Sequence, residues 1–291
     1  MRIATWNVNS LKMRLDRVCG WLERAQPDVL LIQETKLTDA AAPAEPFVER
    51  GYQLAHHGQG RWNGVAIASR VGITDVVTNF GLEHAAAASE GENDYQPLRE
   101  ARMIAATCGG VRVASLYAPN GRSVDTEFYR AKLDWYGVLL GWLRETCKPD
   151  QPLVLGGDYN IAPTDADVWD PVACQGGTHV SPEERAAFSA LLSWGLHDSY
   201  HEQRPQPARF SWWDYRAGCF QKNMGMRIDH LLATSSANQR VVWAEIDREA
   251  RKGKPTPSDH APVMIDLDSP GKALDAGWEG AEARIAARKK G

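Results

Sequence analysis

Two stretches of the chain share one pattern: a β-like segment, a helix-like segment, and a second β-like segment that runs into an acidic residue. In the first stretch the closing segment is DVLLIQ (residues 28–33), which leads into Glu34. In the second it is PLVLGG (residues 152–157), which leads into Asp158. Continuous apolar runs of this kind are typical of strands buried between helical layers. The pattern therefore predicts an α/β fold with two similar halves, each carrying an acid at the end of a buried strand.

The rest of the chain continues the alternation of strands and helices without a clear linker. Ser-Pro is a typical helix start, so we expect a helix over residues 181–192. Ser10 or Asn9 is a candidate N-cap for the helix that follows the first strand. Further strands are expected at residues 2–8, 61–70, 101–108, 111–119, 227–234 and 261–267. We therefore predict one catalytic domain over residues 1–268 and a tail over residues 269–291 that adds at most a loose helix.

Composition narrows the classes of function. The 291 residues carry a formal net charge of -4, which argues against a surface coated with basic residues. Five scattered cysteines without zinc-like spacing predict neither a disulfide framework nor a structural zinc. No apolar run reaches the roughly 18 residues of a membrane helix, and no secretory leader precedes the first strand, so a cytoplasmic protein is expected. The acidic stretch at residues 84–95 is expected to be an exposed loop.

Polar side chains follow or flank several of the predicted strands. A single loop acid is usually solvated, but ligand sites in α/β sheets gather where strands end, so several such residues together indicate a site. Most of them offer carboxylate or amide oxygens, the ligands that Mg²⁺ or Mn²⁺ prefers, whereas zinc prefers Cys and His. Carboxylates, a histidine and Mg²⁺ together are suited to phosphodiester hydrolysis. The residues are Asn7, Asn9, Glu34, Tyr117, Asn120, Asp158, Asn160, Asp229, Asp259 and His260.

Eight motifs in order carry a resemblance to a known family. They are WNVNS (6–10), QETK (33–36), RWNGVAI (61–67), YAPNG (117–121), GGDYNIAPTDADVWDP (156–171), WWDYR (212–216), MRIDH (226–230) and SDHAPV (258–263). Their order and spacing resemble the exonuclease III family of Mg²⁺-dependent apurinic/apyrimidinic endonucleases, within the endonuclease/exonuclease/phosphatase superfamily. The resemblance covers residues 1–267.

The resemblance implies a four-layered α/β sandwich with two central mixed β-sheets flanked by helices. It implies Mg²⁺-dependent hydrolysis on the 5′ side of abasic sites in double-stranded DNA, together with 3′-5′ exonuclease and 3′-phosphatase or phosphodiesterase activity. The expected partner is therefore double-stranded DNA with abasic sites or 3′ ends, bound by a monomer in the cytoplasm that is associated with the nucleoid when acting on DNA. No membrane partner is expected.

The family's metal ligands match several positions of this chain. Glu34 resembles the main ligand for Mg²⁺ (or Mn²⁺), and one or two metals are both compatible with the motifs. Asn9 stands where some relatives carry Asp, a difference that bears on a second metal. The full candidate set of metal-binding residues is Glu34, Asn7, Asn9, Asp158, Asn160, Asp259 and His260.

The family's catalytic roles carry over by motif in the same way. Asp158 is expected to activate the attacking water, and Asn160 to hold the phosphate or the water in line. His260 is expected to stabilise the pentacovalent state, with Asp229 fixing its orientation. Tyr117 is expected to contact the phosphate or assist the leaving group.

Substrate choice depends on the motifs that are specific to the nucleic-acid branch. Trp212 and Met226 are expected to wall a small pocket for a flipped-out abasic deoxyribose or a terminal 3′ nucleotide. The basic residues at positions 248, 251, 252 and 254 are expected to grip the DNA backbone. Further candidate substrate-binding residues are Asn120, Arg122, Arg216 and Lys252.

Two alternatives share the scaffold. Phosphoinositide phosphatases and sphingomyelinases of the superfamily carry the same Asn, Glu, Asp-x-Asn and Asp-His elements, but here no apolar or basic membrane-binding loop is found. A non-catalytic DNA-binding member typically lacks one of the acids or the histidine, and this chain has all of them. Other residues have simpler interpretations: His56 and His57 as loop residues, and Trp135 and Trp142 as core packing.

Overall fold

The structure is a computed structural model that describes residues 1–82, 95–205 and 209–288. Within these residues the strands are β1 (Arg2–Asn7), β2 (Val29–Gln33), β3 (Gln53–His57), β4 (Val65–Ser69), β5 (Thr74–Thr78), β6 (Met103–Cys108), β7 (Val111–Tyr117), β8 (Leu153–Asp158), β9 (Leu196–Asp198), β10 (Asp229–Thr234), β11 (Val241–Ile246) and β12 (Val263–Leu267). The helices are α1 (Leu11–Ala25), α2 (Ala44–Val48), α3 (Glu127–Thr146), α4 (Pro171–Cys174), α5 (Pro182–Trp194), α6 (Ser199–Gln203), α7 (Cys219–Lys222), α8 (Ser235–Asn238) and α9 (Glu279–Arg288).

The strands form two six-stranded sheets, in the orders β11-β12-β1-β2-β4-β3 and β5-β6-β7-β8-β10-β9. Each sheet contains one parallel pair, β1 with β2 and β7 with β8, and its other pairs are antiparallel. A parallel pair needs a crossover, which α1 supplies in the first sheet and α3 in the second. These two units are the two similar halves expected from the sequence.

The two sheets pack face to face, with helices on their outer faces. Apolar side chains of both sheets, such as Leu31 and Val154, form the central core. A second core lies between α1 and the first sheet and includes Trp21, and a third lies between α3, α5 and the second sheet and includes Trp135. The four-layered α/β sandwich with two mixed sheets is therefore confirmed.

The first half of the chain departs from expectation in two details. The N-cap residue of α1 is Ser10, one of the two candidates, but its side chain makes no cap hydrogen bond. Instead, the Ser10 backbone N–H donates to the Glu34 carbonyl at 2.7 Å. The strand expected from residue 61 begins only at Val65, because Gly64 (φ 91°) turns the chain so close to Thr35 that a Cβ at this position would lie 2.1 Å from Thr35 Oγ1. As a result, the start of α1 and the start of β4 both contact the turn that carries Glu34.

The C-terminal segment packs against the body of the fold. Trp278 is 3% exposed, and its Nε1 donates to the Ile246 carbonyl at 2.6 Å. Arg209 Nε donates to Glu282 at 3.0 Å. The domain limit at residue 268 stays a prediction, and the loop expected at residues 84–95 lies, apart from Tyr95, outside the described residues. No helix in the described ranges combines the length and the apolar character needed to cross a membrane.

Candidate active site

The ends of the two parallel strand pairs meet at one edge of the sandwich. Asn7 is the last residue of β1, Glu34 follows β2, and Asp158 is the last residue of β8. Asn7 Nδ2 donates to Glu34 Oε1 at 2.8 Å and to Asp158 Oδ2 at 2.9 Å. One buried amide therefore joins the acids of both halves, which the sequence placed in separate units.

Two carboxylates and one imidazole converge at one position, where the carboxylates could hold a cation. One ligand atom from each of Glu34, Asp158 and His260 lies within 4.8 Å of the others. Lys36 Nζ lies 2.9 Å from Glu34 Oε2 and 2.6 Å from Asn9 Oδ1, so the acids already attract positive charge there. The two carboxylates provide the hard oxygen ligands that a divalent cation of the Mg²⁺ type requires, and the donor set fits such an ion.

The other expected metal ligands are engaged in hydrogen bonds around this cluster. Asn7 Oδ1 accepts from the Asn9 backbone N–H at 3.0 Å, and Asn9 Nδ2 donates to Asp259 Oδ1 at 3.0 Å. Asp259 Oδ2 accepts from Trp212 Nε1 at 3.1 Å. Asn160 Oδ1 accepts from Asn120 Nδ2 at 3.1 Å. The structure thus brings all of them to one edge, around Glu34, Asp158 and His260.

The His260 imidazole is positioned by a hydrogen bond to Asp229. Its Nδ1 lies 3.1 and 2.9 Å from the two carboxylate oxygens of Asp229, which is fully buried. Its Nε2 lies 3.8 Å from Asp158 Oδ2. Burial alone would lower the pKa of His260, but the charges of Asp229 and Asp158 raise it to about 10. The imidazole is therefore protonated at neutral pH, as expected for a group that stabilises a developing anion.

For Asp158, in contrast to His260, burial is the main cause of the pKa shift. Burial raises its pKa to about 7, although the neighbouring His260 charge acts to lower it. Its Oδ1 accepts the Asn160 backbone N–H at 2.9 Å. A carboxylate with a pKa near neutrality can accept a proton from water and return it, which suits a general base.

Tyr117 ends β7 next to the same cluster. Its hydroxyl hydrogen-bonds with Glu34, and burial together with the Glu34 charge raises its pKa well above the ordinary value. The Arg102 guanidinium lies 4.7 Å from the centre of the Tyr117 ring. The phenol therefore keeps its proton and can donate a hydrogen bond.

An apolar wall adjoins these polar groups. Trp212 and Met226 form an isolated β-bridge and pack with Val168 and Ile228 in one small cluster. The Trp212 and His260 ring centres are 6.5 Å apart. The pair expected to wall a sugar pocket thus lies beside the candidate catalytic histidine.

Two of the expected DNA-gripping residues are buried. Arg248 and Arg251 are 4% and 6% exposed, and both guanidinium groups lie over the Phe220 ring. Arg251 Nη2 donates to the Trp213 carbonyl at 3.2 Å. The expectation that this pair faces DNA is therefore wrong: the long side chains turn inward and satisfy buried carbonyls. Lys254 is exposed.

The remaining basic candidates lie on the surface. Lys252 Nζ pairs with Glu249 at 2.5 Å. Arg216 is 88% exposed in its side chain and pairs with Asp214 at 2.6 Å. Arg122 is exposed and lies 3.6 Å above the Phe128 ring. Their role in binding DNA stays a prediction.

Sequence reasoning missed a buried group behind Asn160. Lys132 and Glu184 are both fully buried and form an ion pair. Lys132 Nζ and His179 Nδ1 each lie 2.6 Å from the Asn160 carbonyl oxygen. Burial lowers the pKa of His179 to about 4, so this histidine is neutral at physiological pH. The available signal was the position of Lys132 between Tyr129 and Tyr136 on the apolar face of α3.

Comparisons with known proteins agree with this geometry. A sequence profile of the Endonuclease/Exonuclease/phosphatase family matches residues 4–260. The exodeoxyribonuclease III of Haemophilus influenzae is 32% identical over 279 residues, covering 92% of this chain and 100% of that protein. Among solved structures, a 3′-5′ exonuclease from Neisseria meningitidis matches with a TM-score of 0.84 at 38% identity, and an AP endonuclease from Archaeoglobus fulgidus with 0.83 at 32%. Both structural matches cover 92% of this chain and 100% of the other. The chain therefore belongs to the endonuclease/exonuclease/phosphatase family, and within it to the exodeoxyribonuclease III family of nucleases.

Proposed function

We propose that this protein hydrolyses phosphodiester bonds in double-stranded DNA, on the 5′ side of abasic sites and at 3′ ends, including removal of a 3′ phosphate. The observation that carries the proposal is the convergence of Glu34, Asp158 and His260 within 4.8 Å, beside the Trp212–Met226 wall. The relatives support it, because they include an exodeoxyribonuclease III, a 3′-5′ exonuclease and an AP endonuclease.

Glu34 and Asp158 are the residues that would hold the cation, which we take to be Mg²⁺ or Mn²⁺. When bound, this ion supplies positive charge that offsets the negative charge on the phosphoryl oxygens. Asn7 keeps both carboxylates in place through its two hydrogen bonds of 2.8 and 2.9 Å. Asn9 and Asp259 lie next to this position and would assist.

The chain's own residues then divide the proton transfers. Asp158 accepts the proton of the attacking water, because its carboxylate lies at the centre of the cluster, where it accepts hydrogen bonds from Asn7 Nδ2 and the Asn160 backbone N–H at 2.9 Å each. The His260 imidazolium donates a hydrogen bond to a non-bridging phosphoryl oxygen as charge develops there. Asn160 orients the water or the phosphate. As the phosphorus–oxygen bond to the leaving group breaks, the leaving oxygen takes up a proton from solvent, and the Tyr117 phenol donates a hydrogen bond to this oxygen or to the phosphate.

The Trp212–Met226 wall supports a preference for DNA that lacks a base. A deoxyribose without a base has little stacking to lose when it leaves the helix, and it needs only a small apolar pocket. The same wall can pack against the sugar of a terminal 3′ nucleotide. Asn120, Arg122, Arg216 and Lys252 are proposed to contact the flanking DNA.

The substrate class is tested with four labelled substrates and purified wild-type protein. The substrates are duplexes with an internal abasic site, a 3′ phosphate or a 3′ hydroxyl end, and vesicles that contain phosphoinositide. We expect cleavage of the three duplexes with Mg²⁺, no cleavage with EDTA, and no turnover of the vesicles. Faster turnover of the lipid would identify a phosphoinositide phosphatase instead, and inactivity on every duplex with Mg²⁺ would refute the proposal.

A cytoplasmic location and a monomeric state belong to the same proposal. The relatedness to a bacterial exodeoxyribonuclease III supports the location. Cell fractionation and light scattering of the purified protein test the two statements, and a membrane-bound fraction or a dimer mass would contradict them.

A further inference from the structure

Helix α3 holds the turn after β8 with two buried side chains. Lys132 Nζ donates to the Asn160 carbonyl at 2.6 Å, and Tyr136 OH donates to the Tyr159 carbonyl. Residues four apart lie on one face of a helix, so the two donors act side by side on consecutive carbonyls. Both side chains are buried, with exposures of 0% and 2%. The turn they hold carries Asp158 and Asn160, the proposed base and its partner.

The same ammonium also reaches the loop after β7. Lys132 Nζ lies 3.3 Å and Thr178 Oγ1 lies 3.1 Å from the Asn120 carbonyl oxygen. Gly121 permits this approach, because a Cβ at this position (φ 86°) would lie 3.0 Å from Lys132 Cδ. One charged group therefore links the two loops whose side chains, Asn120 and Asn160, are themselves hydrogen-bonded at 3.1 Å.

Glu184 fixes the ammonium from the other side. Its Oε1 accepts from Lys132, from Thr178 Oγ1 at 2.9 Å and from the His179 N–H at 3.0 Å. Its Oε2 accepts from the Ser181 hydroxyl at 2.7 Å, in the capping box that begins α5. Burial would raise the pKa of Glu184, but the Lys132 charge and these hydrogen bonds hold it below its usual range. The carboxylate is therefore charged, both of its oxygens accept hydrogen bonds, and it holds the Lys132 ammonium in one position.

We propose that Lys132, assisted by Tyr136, is a positioning residue for the nuclease reaction: it sets where Asp158 and Asn160 stand relative to His260. The inference rests on the proposed function. The competing explanation is a purely structural ion pair, since a buried pair can often be replaced by apolar or neutral groups without loss of stability. The two explanations predict different kcat values for a variant that lacks the ion pair but still folds stably. A positioning role predicts a lower kcat in such a variant, whereas a purely structural role predicts the wild-type kcat.

The test compares two matched double variants. Lys132→Met/Glu184→Gln removes the charges of both partners at the site, so no buried charge is left unpaired. Arg2→Met/Asp266→Asn does the same to a buried pair, 3% and 1% exposed with 2.7 Å between its atoms, at the opposite end of β1 from Asn7. Thermal unfolding, kcat and KM are measured for both variants on the 3′-phosphate duplex with Mg²⁺.

We expect the Lys132 variant to lose kcat on the order of 10²-fold with KM nearly unchanged, since small displacements of reacting groups have effects of this size. The Arg2 variant should keep the wild-type kcat although its melting temperature is comparable to that of the Lys132 variant. Wild-type kcat in the Lys132 variant, or an equal loss in both, would overturn the inference. Inactive wild-type protein would instead refute the proposed function.

Tyr136→Phe provides a second test should the Lys132 variant fail to fold. It removes the hydroxyl that donates to the Tyr159 carbonyl. We therefore expect kcat to fall roughly threefold to tenfold, which is the equivalent of one hydrogen bond. An unchanged kcat in this variant would also overturn the inference.

Discussion

Replacing Asp229 with asparagine tests how His260 keeps its proton. The two carboxylate oxygens of Asp229 lie 3.1 and 2.9 Å from His260 Nδ1, and Asp229 is fully buried. Asparagine keeps the shape of the side chain and removes its charge. We expect the imidazolium of Asp229→Asn to lose its proton at a lower pH than in the wild type.

The size of this effect follows from the kind of interaction that is lost. A hydrogen bond to a charged group contributes roughly 1.5–3 kcal/mol. Because about 1.4 kcal/mol corresponds to a tenfold change in proton affinity, the loss equals one to two tenfold steps. The pKa of His260 should therefore fall from about 10 to roughly 8–9.

The pH profile of kcat on the 3′-phosphate duplex measures this shift. The alkaline limb should lie near pH 10 for the wild type and roughly one to two pH units lower for Asp229→Asn. Asp198→Asn is the matched control, because Asp198 is a buried acid beside a different histidine, His230. An alkaline limb that stays in place in Asp229→Asn, or that moves equally in the control, would refute the reasoning.

The same pKa predicts how stability changes with pH. Burial alone would lower the pKa of His260, but the Asp229 and Asp158 charges raise it from 6.5 to about 10. The protonated form therefore stabilises the fold fully below pH 6.5, and this contribution is lost as the pH rises to about 10. The difference in free energy of unfolding between the wild type and Asp229→Asn should stay constant up to roughly pH 8, where the imidazolium of the variant begins to lose its proton, and should narrow from there to about pH 10, as measured by urea unfolding.

Four further outcomes are expected. Glu34→Gln should weaken Mg²⁺ binding by at least roughly tenfold, because it removes a carboxylate from the cluster; calorimetry measures this, and an unchanged affinity would exclude Glu34 as a ligand. Mg²⁺ binding should strengthen as the pH rises through about 7, because burial keeps a proton on Asp158 below that pH; binding without proton release in buffers of different ionisation enthalpy would contradict this. Trp212→Ala should lower kcat/KM on the abasic duplex by an amount equivalent to roughly 1–3 kcal/mol, because the variant loses an aromatic surface that packs against the substrate. Gel assays that show wild-type kcat/KM would argue against the Trp212–Met226 wall as a substrate contact. Arg251→Met should lower the free energy of unfolding by roughly 2–3 kcal/mol, because two buried carbonyls lose their donor; filter binding should show unchanged DNA affinity, and weaker binding would restore the role in gripping DNA.

The architecture could be predicted because its signals are local. The apolar runs that end at Gln33 and at residue 157 identified the central strands to within a residue or two. The helix between the two strands of each half matches the crossover connection that a parallel pair needs. The strand expected from residue 61 overran a local turn signal: residues 63 and 64 are Asn-Gly, a typical turn pair, and they adopt positive φ values of 58° and 91° next to the turn that carries Glu34.

The candidate site was predictable by residue type, but its supporting groups were not. Glu34 follows β2, Asp158 ends β8, and His260 comes shortly before β12. Because β12 runs antiparallel to β1, its start lies at the same edge as the ends of β1 and β2, so the meeting of these residues follows from topology. Lys132 and Arg251 are long charged residues whose sequence context allows either an exposed or a buried position. Only the tertiary contacts, with the Asn160 carbonyl and the Ser258 carbonyl respectively, decide that both point inward.

The net charge of -4 carries less weight once the acids are located. Glu34, Asp158 and Asp229 belong to the site, where a bound cation and the His260 charge offset them. Binding to DNA therefore depends on local charge near the site, and affinity should fall steeply with added salt.

The single-turnover rate of cleavage by Asp158→Asn tests the central claim most directly. The rate is measured at saturating Mg²⁺ on the 3′-phosphate duplex, beside Asp165→Asn, whose acid is 70% exposed. We expect Asp158→Asn to lose roughly 10²–10⁴-fold in rate, as the removal of a general base does, and Asp165→Asn to match the wild type. Cleavage by Asp158→Asn at the rate of the control would contradict the assignment of Asp158 and of the active site built around it.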